Sequence, residues 1–181
     1  TLFSVLNRSA TSMGSRLLRR WLNRPLRDIS LLKARQNAIT TLRHNYTFEV
    51  ISGILKHVGD MERILGRLAL RSSRPRDLSR LMMSIACYPE LQSELAKLNS
   101  PLISQLATQI STFPDLVDLL SRAIIENPPV VIREGGVIAD GYDAELDDLR
   151  NISTNAGQYL LDLELRERER TGIPTLKVGY N

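Results

Sequence analysis

The stretch Gly141–Gly172, GYDAELDDLRNISTNAGQYLLDLELRERERTG, decides how the rest of the chain is read. From Asp143 to Arg170 it contains no proline. Leu146, Leu149, Ile152, Ala156, Leu160 and Leu163 recur in steps of three and four, which places them on one stripe of a helix. Asp143, Glu145, Asp147 and Asp148 suit the positive start of that helix, and Arg166, Arg168 and Arg170 suit its negative end. Asp162 to Arg166 and Glu164 to Arg168 are i,i+4 pairs with the acid first, the better orientation. Thr171-Gly172, with Pro174 beyond, stops it. The spacing predicts one long protruding helix over 143–172, roughly 40 Å at about 1.5 Å per residue. The apolar stripe fades after Leu165 while the charged residues continue, so the helix is expected to outrun its own core as a strut.

Beyond the stop, Thr175 to Asn181 alternate in the manner of a short terminal β-strand over 173–181. A lone strand leaves its backbone groups unpaired, so the chain is expected to be a piece of a longer protein.

The 181 residues, 43% apolar and 5% aromatic, suffice for one domain with a core of Leu, Ile, Val, Ala and Met, or one domain plus part of another. No apolar run approaches a membrane span, so no membrane partner is expected. The single Cys87 excludes an internal disulfide and suits a reducing compartment. The net charge of +4 conceals a division: residues 1–80 carry 16 Lys+Arg against 5 Asp+Glu, and residues 81–181 carry 8 against 15. Two readings stay open. The halves pack together and neutralise each other, or the basic half faces nucleic acid.

In chain order, residues 1–142 read as a mainly α, multi-helix core bundle. Met13, Leu17, Leu18, Trp21 and Leu22 make a helical stripe after the caps offered by Ser9, Thr11 and Ser12, and Pro25 ends it. Asp28 is the N-cap of the next helix, which ends near Arg43 to Asn45. Helices follow over 48–58 and 60–71. Arg74-Pro75-Arg76-Asp77 restarts the pattern, and Pro89 interrupts it before it resumes to Leu98. Ser100-Pro101 and Phe113-Pro114 open two more. Val130–Arg133 and Val137–Ala139 flank Glu134-Gly135-Gly136, a small hairpin or extended loop near 130–139.

No constellation of catalytic residues emerges. Gly135-Gly136 lacks the lysine of a phosphate loop, so it reads as a turn. His44 and His57 are too few for a zinc site, Cys87 reads as a small core residue, and Trp21 reads as core rather than a base-stacking platform. The acids from Asp140 to Asp148 lack the alternation and central glycine of a calcium loop. The Arg-Glu alternation over 166–170 reads as a solvated helix face whose arginines reach phosphate only if DNA lies near that end. No catalytic, cofactor-binding or metal-ligating residue is assigned. The nucleic-acid candidates are Arg168, Arg170, Lys177 and Asn181.

Several stretches in register resemble the MutS family of DNA mismatch-repair ATPases. Thr1–Asn7 with Thr11–Leu22 is similar to the opening of that family's core domain. Gly59–Arg71 with Arg74–Leu78 is similar to its central helices. Gly135–Tyr142, Arg166–Ile173 and Leu176–Asn181 are similar to its first lever helix and the start of its clamp. The resemblance covers essentially the whole chain, and the Arg-Glu-Arg-Glu-Arg-Thr-Gly style looks bacterial. It implies a core at 1–142, a lever helix at 143–172 and the first clamp strand at 173–181. It also implies a parent that binds mismatched double-stranded DNA as a homodimer, uses ATP and Mg in another domain, signals to MutL-type proteins, and works at the nucleoid in the cytoplasm. This stretch is then not itself an enzyme and has no cofactor of its own. The alternative is a stand-alone helical module for nucleic-acid binding or protein interaction.

Overall fold

The computed structural model describes residues 1–178. The chain divides into two compact units, Thr1–Ile138 and Ala139–Asn181. Among the described residues the structure is mainly helical and holds no sheet, only an isolated antiparallel bridge between Ile124 and Ile138.

The first unit contains α1 (Leu2–Leu6), α2 (Ser12–Asn23), α3 (Ile29–Arg43), α4 (Thr47–Leu55) and α5 (Met61–Ala69), then α6 (Pro75–Ala86), α7 (Tyr88–Ala96), α8 (Pro101–Thr108) and α9 (Pro114–Ala123). Short polar side chains set several of the starts, because the first amides of a helix have no partner within it. The Thr11 hydroxyl accepts from the Gly14 N–H at 3.0 Å and the Asp28 carboxylate from the Leu31 N–H at 3.1 Å. Asp60 does the same for Arg63 at 3.4 Å. Proline sits in the first turn of α6, α7, α8 and α9, where its missing N–H is no loss. Pro89 therefore divides α6 from α7, at a joint formed by Cys87.

Two apolar clusters fill this unit. Ile64, Leu81, Ile85 and Leu120 bring α5, α6 and α9 together, and Ile51, Ile54 and Leu91 join α4 to α7. Cys87 packs on the second cluster; its thiol donates to the Met83 carbonyl at 3.1 Å, and burial pushes its pKa up from the usual thiol value. A buried polar pin locks the start of α5 to α6. The Ser84 hydroxyl, fully buried, accepts from the Gly59 N–H at 2.8 Å and donates to the Arg80 carbonyl at 2.6 Å. Gly59 has no room for a side chain, since a Cβ there would lie 2.7 Å from Arg80 Cγ.

The first helical stripe departs from expectation. None of α2 is buried, and Trp21 is 41% exposed with the Arg35 guanidinium 3.7 Å from its ring centroid. A planar cation over the indole face, not a leucine core, is what this side chain meets. Of the two forms expected near 130–139, a small hairpin or an extended loop, the hairpin does not form. Residues Ile132–Glu134 make one 3-10 turn, and the extended pair Val137-Ile138 reaches back to α9, with Ile125 N–H donating to the Val137 carbonyl at 3.1 Å. Gly135 and Gly136 take positive φ (72° and 63°), a conformation that glycine reaches without strain.

In the second unit the single helix over 143–172 is corrected to two. Helix α10 (Ala144–Thr154) ends and α11 (Ala156–Thr171) begins at Asn155, whose backbone is non-helical (φ −114°, ψ 34°). The hydrogen-bond ladder runs to Asn155 N–H, which donates to Asn151 O at 2.9 Å, and resumes where Tyr159 N–H donates to Asn155 O at 2.9 Å. The cause is local. Ser153-Thr154-Asn155 offers side chains that compete for backbone groups, the Thr154 hydroxyl donates back to the Arg150 carbonyl at 2.8 Å, and Gly157 is a poor helix former. Neither helix has a buried residue; Leu149 is 57% exposed. The stop is as read: Gly172 adopts φ 70° and its N–H donates to Arg168 O at 2.9 Å. The terminal strand is not found over 173–178, where Pro174-Thr175 form a turn; Gly179, Tyr180 and Asn181 lie outside the described residues.

Candidate functional site

Tertiary ion pairs hold the first unit's helices where apolar packing is thin. Arg16, on α2, grips Asp60 with both terminal nitrogens at 2.7 Å, and its Nε and Nη2 reach Glu62 at 3.1 and 2.5 Å. A fork of this kind matches a carboxylate in two places and fixes orientation as well as distance. Asp60 also caps α5, so one carboxylate starts a helix and anchors another. The Arg16 guanidinium holds it well below the usual carboxylate range, and Arg16 rises in turn. Asp77 repeats the arrangement. It accepts from Arg67 Nε at 2.7 Å, from Arg67 Nη2, and from the Arg74 N–H at 2.9 Å, and the Arg67 contact lowers its pKa. These are the residues of the Gly59–Arg71 and Arg74–Leu78 stretches, and their chemistry is that of joints.

Within the first unit, no ion pair among the described residues links the basic residues of 1–80 to the acids of 81–138. Among the described residues Arg19, Arg20, Arg35 and Arg43 of α2 and α3 have no carboxylate partner, and Arg19 and Arg35 lie over the rings of Phe3 and Trp21.

In the second unit the acids at the start of α10 are caps and braces. Asp143 accepts from Leu146 N–H at 2.9 Å, Asp147 from Gly141 N–H at 2.7 Å, and Arg150 pairs with Asp140 at 2.8 Å. Asp162 accepts from Gln158 Nε2 at 2.9 Å. The expected Glu164–Arg168 pair is present and does more than brace α11. Arg168 Nε donates to the Leu176 carbonyl at 2.8 Å, and Glu164 accepts from the Val178 N–H at 3.2 Å. Of the four nucleic-acid candidates, then, Arg168 is engaged at this joint. Arg170 pairs with Glu167 at 2.7 Å while staying 71% exposed, and that contact lowers the Glu167 pKa. Lys177 is exposed, and Asn181 lies outside the described residues. The sequence showed Glu164 and Arg168 as neighbours on a helix but carried no sign of their backbone partners, nor of the contact between Arg16 and Asp60.

The open groove between α7 and α8, about 560 Å³, is lined by Pro89, Ala96, Ala107 and neutral polar side chains such as Gln92, with no titratable group. Among the described residues no three His, Cys, Asp or Glu side chains are placed to hold a metal ion. No described helix is long and apolar enough to cross a membrane.

The first unit is thus a set of helices pinned by buried polar contacts and ionic joints. The family model for MutS domain III matches residues 1–171. The chain belongs to the MutS family, and domain III is part of that family's DNA mismatch-repair proteins.

Proposed function

We propose that this chain is the mechanical core and lever of its parent mismatch-repair protein. It would couple an ATPase domain elsewhere to a clamp that grips DNA. The observation that carries the reading is the end of α11: beyond its glycine stop the chain turns back and is bonded to the helix's last turns through Arg168 and Glu164. A rotation of that helix would therefore be passed to the chain that follows. The parent would bind mismatched double-stranded DNA as a homodimer, use ATP with Mg outside this stretch, signal to MutL-type proteins, and act at the bacterial nucleoid in the cytoplasm. The stretch itself would catalyse nothing. Exposed Lys177 and Arg170 would meet phosphates non-specifically, which positions without reading sequence.

The test uses the full-length parent. Leu161→Pro, inside α11, removes a ladder hydrogen bond and breaks stiffness; Glu169→Gln changes only surface charge. The first should abolish the acceleration of DNA release on adding ATP while nucleotide affinity stays near wild type, and the second should keep it. Full acceleration in the proline variant rules out α11 as the transmission element. The basic surface of α2 and α3 favours the alternative, a nucleic-acid-binding module. Its signature would be tight, salt-dependent binding of matched duplex by residues 1–181 alone.

A further inference from the structure

Residues i and i+4 of a helix are about 6 Å apart along the axis at 1.5 Å per residue. Side chains one turn apart on a helix can therefore hold two backbone groups of a segment that runs alongside it. That is the arrangement at the end of the second unit. Arg168 takes the carbonyl of Leu176, and Glu164 takes the N–H of Val178. The order is reversed because the turn at Pro174-Thr175 sends the chain back along α11. Arg168 and Glu164 also pair with each other, so both bonds to the backbone are charge-assisted and each side chain restrains the other. Their side chains are 32% and 18% exposed, against 71% for Arg170, so the joint is partly shielded where Arg170 is open to water.

We propose that Glu164 and Arg168 form a two-point joint that fixes the direction in which the chain leaves α11, and that Arg168 is a positioning residue rather than a phosphate contact. As a coupling device the joint rests on the reading of α11 as a transmission element. Its geometry is independent of that reading. A single contact would act as a pivot; two contacts a turn apart remove the rotation, and the emerging segment must follow the helix.

The two roles for Arg168 make opposite predictions for its partner. If Arg168 contacts phosphate, Glu164 is a competing acid, and removing it strengthens DNA binding. If the joint is right, losing either residue has the same effect. The experiment takes the full-length protein as Glu164→Ala, Arg168→Ala, the double variant, and Arg166→Ala as an exposed control. Alanine keeps helix propensity high in each. Hydrogen exchange of the peptide covering 173–178 should accelerate roughly ten-fold or more in both single variants, as expected for a lost charge-assisted bond. The double variant should go no further than either single one, because the two act as a unit. The salt dependence of DNA binding should match wild type in all. The proposal is overturned if exchange is unchanged, or if Arg168→Ala lowers the salt slope by about one phosphate while Glu164→Ala tightens DNA binding. Faster exchange with ATP-driven release intact would leave the joint standing and sink the coupling reading instead.

Discussion

Ala156→Pro separates the two-helix reading of residues 144–171 from a single continuous helix. Proline lacks an N–H and its ring strikes the carbonyl four residues back, so in a helix interior it costs about 3 kcal/mol or more. Ala156 is the first residue of α11, preceded by a non-helical Asn155. At that position there is no ladder bond to lose, and a fixed φ suits the start of a helix. The restriction proline places on Asn155 offsets part of the gain, so the net change should stay within about 1 kcal/mol. Leu161, 57% exposed and mid-helix, is the control of similar exposure but different backbone role. Leu161→Pro should cost about 3 kcal/mol, on the order of 100-fold in the local opening equilibrium. Amide exchange across α10 and α11, read residue by residue by NMR, measures both. If Ala156→Pro opens the segment as much as Leu161→Pro, the ladder passes through 155–157 unbroken and the two-helix account is wrong.

Four further outcomes can be checked by urea unfolding and pH titration of the 181-residue chain. Ser84→Ala strands the buried Gly59 N–H and should cost about 1–3 kcal/mol. Gly59→Ala drives a Cβ against Arg80 and should cost about 1–3 kcal/mol, and the double variant should fall short of the sum. Ile85→Ala, at 3% exposure, should lose about 2–5 kcal/mol, whereas Leu149→Ala, at 57%, should move stability by less than about 1. Asp60 and Asp77 have folded pKa values below the unfolded one, so the unfolded chain binds protons first as pH falls. Their contribution is whole above about pH 5, begins to go near the unfolded value of about 3.9, and is lost as pH drops through the folded values. Asp60→Asn should lower the neutral plateau and flatten the acid limb; an acid limb as steep as wild type would refute the assignment.

Local chemistry was legible in the sequence and distant chemistry was not. Thr11 and Asp28 stand before helices because a short acceptor at that position needs no knowledge of the fold, and the prolines at 75, 89, 101 and 114 mark starts for the same reason. Asn155 was hidden because Leu146 to Leu163 keep the helical period on both sides of it. Periodicity records which face is apolar, not whether the ladder is continuous. Val137-Ile138 pairs with Ile124-Ile125 rather than with 130–133, and nothing in a local window distinguishes those partners. Trp21 looked like core because its neighbours are leucines, while the arginine that covers it lies on the next helix. At the candidate joint the pair Glu164–Arg168 was visible from spacing alone. Its attachment to Leu176 and Val178 depends on the chain reversing at Pro174, a three-dimensional fact.

The bridge between Ile124 and Ile138 closes a loop whose outer part, beyond the contacts of Ser79 with Glu126 and of Arg76 with Pro128, is replaceable. Residues 126–136 leave α9 and return to it at a pinned gate, and within them Ile132 is 76% exposed and the glycines at 135 and 136 have open space around them. A loop whose ends are already held together tolerates lengthening, since doubling it adds only about 0.6 kcal/mol of closure entropy. A fluorescent reporter or affinity tag grafted between Gly135 and Gly136 would thus sit at a natural port, leaving both apolar clusters of the unit and its ionic joints undisturbed.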